Sequence, residues 1–552
     1  MIRAMRPKSD PALTLSMATK ADNPAVVTRP RLLYFNGPWD YLGDRMIAAY
    51  MDPFRRLLEQ DFEVISVQGD RNLRHEVEQH RPDMILFHTG TESDREKEVT
   101  IVETDAFREI PRVGYIYRDP ISPSRISAMN RLLKWGVDQT FTCFRPSDAP
   151  IPFFKDTIYV PWWIDDTVFR DYGEKKEIPI ALTGAGWLSR QFFYTWRCPI
   201  FIQLVSRFAV FHVPVFENHK NGHAYVGEGY ARLLNQSLFS AACGSANRFL
   251  TLKPLEIPAC RCCLIAEETE VFKAIGFADG VNCIFADHTN VAAKVQDLLD
   301  HPERLQAITN AGYDLVHQRH TQRNRRMFIE WFHLWKSKRP GQCIVQTDPL
   351  RPLQLAAEGS SHPYEFPAEN PMVESLLAGY ALMREERWQE AVVKFDQILN
   401  VIPYVAEARL GAAICQLRLN GWNLALQHLT YNLHSQVRQR SMAWPDVLNL
   451  AFLGVAMIGN GKKEEALNLL GQRPELRHPA LNALRWFLAQ RQPELKSHSP
   501  AFQISEGDES QNIETVHLLP TQTFAEWVSL WATHLPVSSL STKTSIRSAV
   551  AA

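Results

Sequence analysis

The chain has 552 residues, too many for one hydrophobic core, and its 45% hydrophobic and 11% aromatic content excludes a disordered chain. Sixty Lys and Arg against 61 Asp and Glu leave a net charge of −1, so bulk charge offers nothing to nucleic acid or an anionic membrane. No run approaches the ~18–20 uninterrupted apolar residues that a membrane span requires.

Residues 1–30 hold basic residues but no apolar stretch of signal-peptide length, and read as a disordered leader. From residue 31 short apolar strands alternate with helices. "RLLYFN", "FEVISVQ", "DMILFHTG", "RVGYIYRDP" and "DQTFTCF" are strands, and "RMIAAYMDPFRRLLEQ" and "RNLRHEVEQH" are helices. That alternation predicts a parallel sheet with helices on both faces over residues 31–170. A second unit of the same kind is expected over 171–338. It opens with "IPIALTGAGW", continues through "LKPLEIPACRCCLIA" and "CIFA", and closes on the amphipathic helix "TQRNRRMFIEWFHLWKSK". Ligands of open parallel sheets bind beyond the carboxyl ends of the strands, so two sheets in tandem predict a cleft between them.

Residues 339–371 are rich in proline and polar residues and read as a linker. Residues 372–497 are helical throughout. Small residues recur in pairs twelve apart, Gly379 with Ala391, Ala413 with Ala425, and Gly454 with Ala466. From Gly379 to Ala413 is 34 residues, the tetratricopeptide period; from Ala413 to Gly454 is 41, which requires an insertion. A nonrepeating helical bundle is the alternative. Residues 498–552 are expected to be mostly disordered, except for the amphipathic helix "FAEWVSLWATHL". Nine cysteines, an odd count without regular spacing, favour reduced thiols and a cytoplasmic protein. Cys260, Cys262 and Cys263 straddle a helix end and a strand, whose alternate side chains diverge, so no metal site is expected.

The stretch "VPWWIDDTVFRDYGEKKEIPIALTGAG" resembles the hinge of GT-B glycosyltransferases: Pro161, the Ile164–Asp165 pair and Phe169 match, with Gly184 and Gly186 in the following loop. "NRFLTLKPLEIPAC" followed by an apolar strand and "GVNCIFAD" resembles the donor-site segment of the CgeB-like branch. The resemblance covers residues 31–338. It implies two tandem Rossmann-like domains, an N-terminal one for the acceptor and a C-terminal one for a nucleotide-sugar donor, with no metal or other cofactor. It also implies that Glu256 accepts hydrogen bonds from the donor ribose. Many retaining members carry a second glutamate eight residues earlier, where this chain has Arg248.

Charged acceptors bind vicinal hydroxyls well, which suits Glu256 to a ribose diol, although an acid there also favours a helix N-terminus. The leaving diphosphate needs backbone N–H groups and cations. Gly184, Gly186, Arg190, Arg248 and Lys253 are the candidates, with Gly37 allowing close backbone approach from the first domain. His88 and Asp119, at carboxyl ends of predicted strands, are candidate catalytic bases. Tyr225, Gly227 and Glu228 are further candidates beside the sugar, and Arg261 is a candidate phosphate contact. The resemblance implies a glycosyltransferase acting on a protein or glycan acceptor, with the helical repeats binding acceptor or partner. A catalytically degenerate adaptor is the alternative. A dehydrogenase is disfavoured because no G-x-G-x-x-G follows the first strand.

Overall fold

The computed structural model describes residues 29–36, 51–89, 99–117, 121–145, 156–184, 194–213, 225–360, 370–438 and 444–535. The first sheet has six parallel strands in the order Glu63–Gln68, Arg31–Asn36, Met84–His88, Arg112–Ile116, Gln139–Thr142, Ile158–Tyr159. The second has five, in the order Val210–Val213, Ile178–Thr183, Ser237–Ala242, Cys263–Ala266, Ile284–Phe285. Runs such as "MILFH" and "CLIA" are buried at every position, as strands covered on both faces must be. In each sheet the first strand lies between the second and third, so the order of strand addition reverses about it and a crevice opens at its carboxyl end.

The helix Met327–Ser337 belongs with the first sheet, not with the second as its place in the sequence suggests. Met327, Phe328, Trp331 and Phe332 share a core with Leu32, Leu86 and Phe141. The ring centroids of Phe141 and Phe328 are 4.5 Å apart. The chain therefore crosses between the domains twice, and the crossings are tied together. Ile164 bridges to Thr321. Arg325, buried, donates to the carbonyls of Pro161 at 2.9 Å and Trp162 at 3.0 Å. Asp165, also buried, accepts from Arg56 of the first domain at 2.7 Å.

The expected linker 339–371 contains an antiparallel hairpin, Gln342–Val345 with Gln354–Ala357. Beyond it stand helix pairs Pro371–Arg384 and Trp388–Leu399, Ala406–Arg418 and Trp422–Arg438, and Val447–Gly459 and Lys463–Gly471. The small residues predicted to let helices approach are buried, and at Gly379 the side chain wedged against them is the Phe395 ring, at Gly454 Leu470. A Cβ on Gly379 would stand 2.6 Å from the Phe395 ring, and one on Gly411 2.4 Å.

Within the tail expected to be mostly disordered, the amphipathic helix expected at "FAEWVSLWATHL" forms, and Phe502, Ile504, Ile513 and Val516 of the stretch before it are buried. Helix Phe524–His534 starts with a capping box at Thr523 and Glu526 and buries Trp527 and Trp531 in the array's core. Its indoles supply the apolar area that the polar flanking sequence lacks. The array also docks on the first domain. Arg125 and Glu407 form a buried ion pair. Asn130 exchanges two hydrogen bonds with the Glu514 backbone, at 3.0 and 2.7 Å.

Replacing Gly411 by Ala should gain about 1 kcal/mol of helix propensity and lose about 1–3 kcal/mol to overpacking against Phe395. The expected outcome is a lowered melting temperature; a raised one would show that the ring yields.

Candidate donor site

The crevice of the second sheet opens between the ends of Ile178–Thr183 and Ser237–Ala242. Gly184 follows the first of these with φ +92°, a left-handed value that glycine adopts without strain. A Cβ there would stand 3.0 Å from Lys253 Nζ and 3.2 Å from Arg197 Nη1, so two cations converge on this strand end. Lys253 opens the helix Lys253–Ala259 and donates to Thr183 Oγ1 at 2.6 Å. Thr183 Oγ1 lies 3.1 Å from the Tyr230 hydroxyl, and Lys253 Nζ is 5.4 Å from the Tyr230 ring centroid. Arg197 begins the helix Arg197–Val205, is buried, and lies 4.1 Å from the Tyr194 ring centroid.

Glu256 sits one turn beyond Lys253 and turns to the interdomain cleft. It lines that cleft with Leu252, with Pro53, Phe54 and Tyr117 of the first domain, and with Trp162, Trp163, Ile164, Asp165 and Phe169 of the hinge. The space between these side chains is narrow, about 30 Å³. Glu256 is 9% exposed, and among the described residues its carboxylate accepts no hydrogen bond.

Burial dominates the electrostatics. It pushes the Glu256 carboxyl above the ordinary carboxylate range, with Lys253 pulling the other way. It pushes the Lys253 ammonium down, the Arg197 charge adds to that fall, and Glu256 opposes it. Two buried cations thus stand together at this strand end, with Glu256 acting on the Lys253 ammonium.

Gly184, Lys253 and Glu256 are brought together as their sequence positions suggested. Arg197 completes the cluster and was missed. Its signal was a lone charge opening the otherwise apolar helix "RCPIFIQLV". Gly37, Asp119, Gly186 and Arg190 lie outside the described residues.

Arg248 has φ +51° and lies 3.7 Å from Glu267, a partner that competes with any phosphate. Arg261 also takes the left-handed conformation, φ +51°, but donates to Asp171 at 2.7 Å and Asn310 at 2.6 Å, so its phosphate role is withdrawn. Glu228 pairs with Arg232 at 2.8 Å on an exposed helix face, and Tyr225 packs 5.6 Å from Phe211.

His88 ends its strand as predicted but is only 5% exposed, ringed by Phe54 at 5.1 Å, Tyr115 at 5.3 Å and Tyr117 at 5.7 Å. Phe54 and Tyr117 line the cleft; His88 stands behind them. Cys260, Cys262 and Cys263 are free, and burial pushes all three thiols up, as for small packing groups.

Residues 168–330 match the family described as glycosyl transferase-like, so the chain carries a glycosyltransferase domain. No curated protein sequence matches the chain. Among solved structures, Anabaena HepE in complex with UDP and glucose is similar, at 11% identity, over 56% of this chain and 100% of its own, with TM-score 0.37. Sucrose-phosphate synthase of Thermosynechococcus elongatus is 10% identical over 56% of this chain and 100% of its own, TM-score 0.38. The C-terminal domain of the Francisella tularensis group 1 glycosyl transferase LpcC is 16% identical over 28% of this chain and 97% of its own, TM-score 0.23.

If Lys253 and Glu256 face each other as described, Lys253→Met removes the one charge that holds the Glu256 carboxyl down. Its titration, followed by the protonated-carboxyl infrared band against a Glu256→Gln control, should move to higher pH. An unmoved titration would show that the pair does not interact.

Proposed function

We propose that the chain is a GT-B glycosyltransferase of the CgeB-like branch, moving a sugar from a nucleotide-sugar donor to a protein or glycan acceptor without a metal. The observation that carries this reading is the convergence of Lys253 and Arg197 on Gly184, one turn from a carboxylate that faces the interdomain cleft. Lys253 and Arg197 hold the diphosphate, and Glu256 accepts hydrogen bonds from the ribose diol. As the acceptor oxygen bonds to the anomeric carbon, the bond from that carbon to the diphosphate breaks. The electron pair departs on the nucleoside diphosphate, and the two cations meet its charge in a site already stripped of water. The acceptor's hydroxyl proton passes to the departing diphosphate oxygen, which balances the transfer.

Acceptor binds on the first domain, and the cleft brings the two reactants together. His88 serves as a buttress for Phe54 and Tyr117 in this reading. The helix pairs are tetratricopeptide-like repeats that present acceptor or partner protein to the cleft, supported by the docking of the array on the first domain. Nine free thiols support a cytoplasmic setting. A catalytically degenerate adaptor is the second reading, and the engagement of Arg248 by Glu267 at the position of the missing glutamate favours it.

Thermal melting separates the two. Uridine, guanosine, adenosine and thymidine diphosphates are each added at millimolar concentration, with and without EDTA. At least one should raise the melting temperature by mass action, and EDTA should leave the shift intact. Glu256→Ala and Arg197→Ala should each abolish it. A flat response to all four nucleotides would favour the adaptor.

A further inference from the structure

The helical array ends differently from the way it is built. Its helix pairs are joined by short turns, residues 385–387, 419–421 and 460–462. Helix Phe524–His534 follows helix Pro479–Arg491 only after a long stretch, in which residues 503–523 form neither helix nor strand. It packs on Pro479–Arg491 and on Val447–Gly459, two neighbouring helices of the array. On Val447–Gly459 it takes the face that the hairpin leaves open. Gly454 meets Leu470 of the paired helix. Phe452, two residues away and so about 200° round the helix, meets Trp527 and Trp531, with ring centroids 6.3 and 4.9 Å apart. The far end of the helix reaches the preceding pair, where His534 lies 6.4 Å from the Trp422 ring.

The helix sits there as a ligand sits in a groove. Phe524, Trp527 and Trp531 are buried on one side, and Glu526, Ser529 and Thr533 on the other are exposed. Trp531 Nε1 donates to the Ala480 carbonyl at 3.1 Å, which fixes the position of the helix along the groove. The two ends fit less well. Gln522 Oε1, ahead of the cap, and His534 Nε2, in the last turn, are buried without a hydrogen-bond partner. Burial and the neighbouring Arg418 charge push the His534 imidazole down to about 4, so it stays neutral and gives the helix C-terminus no cation. Buried polar groups are almost always paired, so the groove matches the two indoles and fails the residues that flank them.

We propose that the face formed by Val447–Gly459 and Pro479–Arg491 is a receptor for an amphipathic helix with two tryptophans four residues apart. This chain's own helix Phe524–His534 is its displaceable occupant, holding the place of a partner protein's helix of the same chemistry. Indoles in a groove are the contacts that dominate such recognition. Upstream of the helix the chain is held by separate contacts. Glu514 is tied to Asn130 of the first domain, and His517 lies 2.6 Å from Asp446, both of these buried. The joint between that anchor and the helix, residues 518–523, carries Pro520. Release of the helix therefore clears the groove without lifting the array from the first domain. This assigns a surface and a ligand chemistry to the partner role proposed for the array, on which it rests. The two fail separately, since an array that never releases this helix still has its other face to offer a partner.

Hydrogen exchange of the wild-type chain follows the release directly. Amides of residues 528–534 should exchange about tenfold faster, or more, than those in the middle of Val447–Gly459 and Pro479–Arg491, through a local opening. Equal protection in all three helices would overturn the proposal, because the helix would then leave only when the array unfolds. The receptor is tested with a fluorescein-labelled synthetic peptide of residues 521–535. It should bind full-length Trp527→Ala/Trp531→Ala about tenfold more tightly, or more, than it binds wild type, whose groove is already filled. The same peptide with both tryptophans replaced by alanine should not bind. Equal affinity for wild type and variant, no binding to either, or binding of the alanine peptide would each overturn the proposal. Should the double variant fail to fold, full-length Trp527→Ala takes its place with the same expected order of affinities.

Discussion

The burial of Lys253 beside Arg197 and Glu256 is the constraint on which the rest of this structure depends. Lys253 and Arg197 converge on Gly184, and Glu256 is the charge that supports the Lys253 ammonium. A desolvated charge costs several kcal/mol unless it is matched, so charges buried this way are stable only where the surrounding fold holds them. Thr183 and the Tyr230 and Tyr194 rings do so locally. The parallel sheet does so globally, because the reversal of strand order about Ile178–Thr183 opens space at that strand's end. Perturbed charges of this kind, set in a cleft, cluster at functional sites.

The second constraint is the double crossing between domains. Arg325 holds the carbonyls of the first connection from the second, and Arg56 holds Asp165. The interdomain cleft is lined by four separate pieces of chain, 53–54, 117, 162–169 and 252–256, and these hydrogen bonds fix the third of them. The helical array adds a third attachment, since it touches the first domain through Arg125 and the second through Ala246. A protein bound on the array would be held beside both halves of the cleft.

Much of this was legible in the sequence because local pattern dictated it. The continuous apolar strands, the small-residue pairs of the helix hairpins and the isolated acid at 256 each carried their own physical signature. What was illegible depended on tertiary packing. The amphipathic stripe of Met327–Ser337 shows that the helix packs against something, and only the fold shows that it is the first sheet. Residues 499–523 look polar, yet Phe502, Ile504 and Ile513 join the core of the array. His88 illustrates the opposite failure: its strand-end position was right, but the aromatic residues that cover it come from distant segments. Arg261 kept a backbone conformation usually left to glycine, and its charge was absorbed by Asp171.

The central claim is that a diphosphate completes the charge of this site, and proton linkage tests it most directly. Calorimetry of nucleoside diphosphate binding in buffers of different ionisation enthalpy counts the protons exchanged. The depressed Lys253 ammonium should take up a proton on binding at mildly alkaline pH, and the raised Glu256 carboxyl should release one at mildly acidic pH. Relative to the ligand's own ionisation, Lys253→Arg should lose the first signal and Glu256→Gln the second. Binding with the same proton count in wild type and both variants would contradict the account.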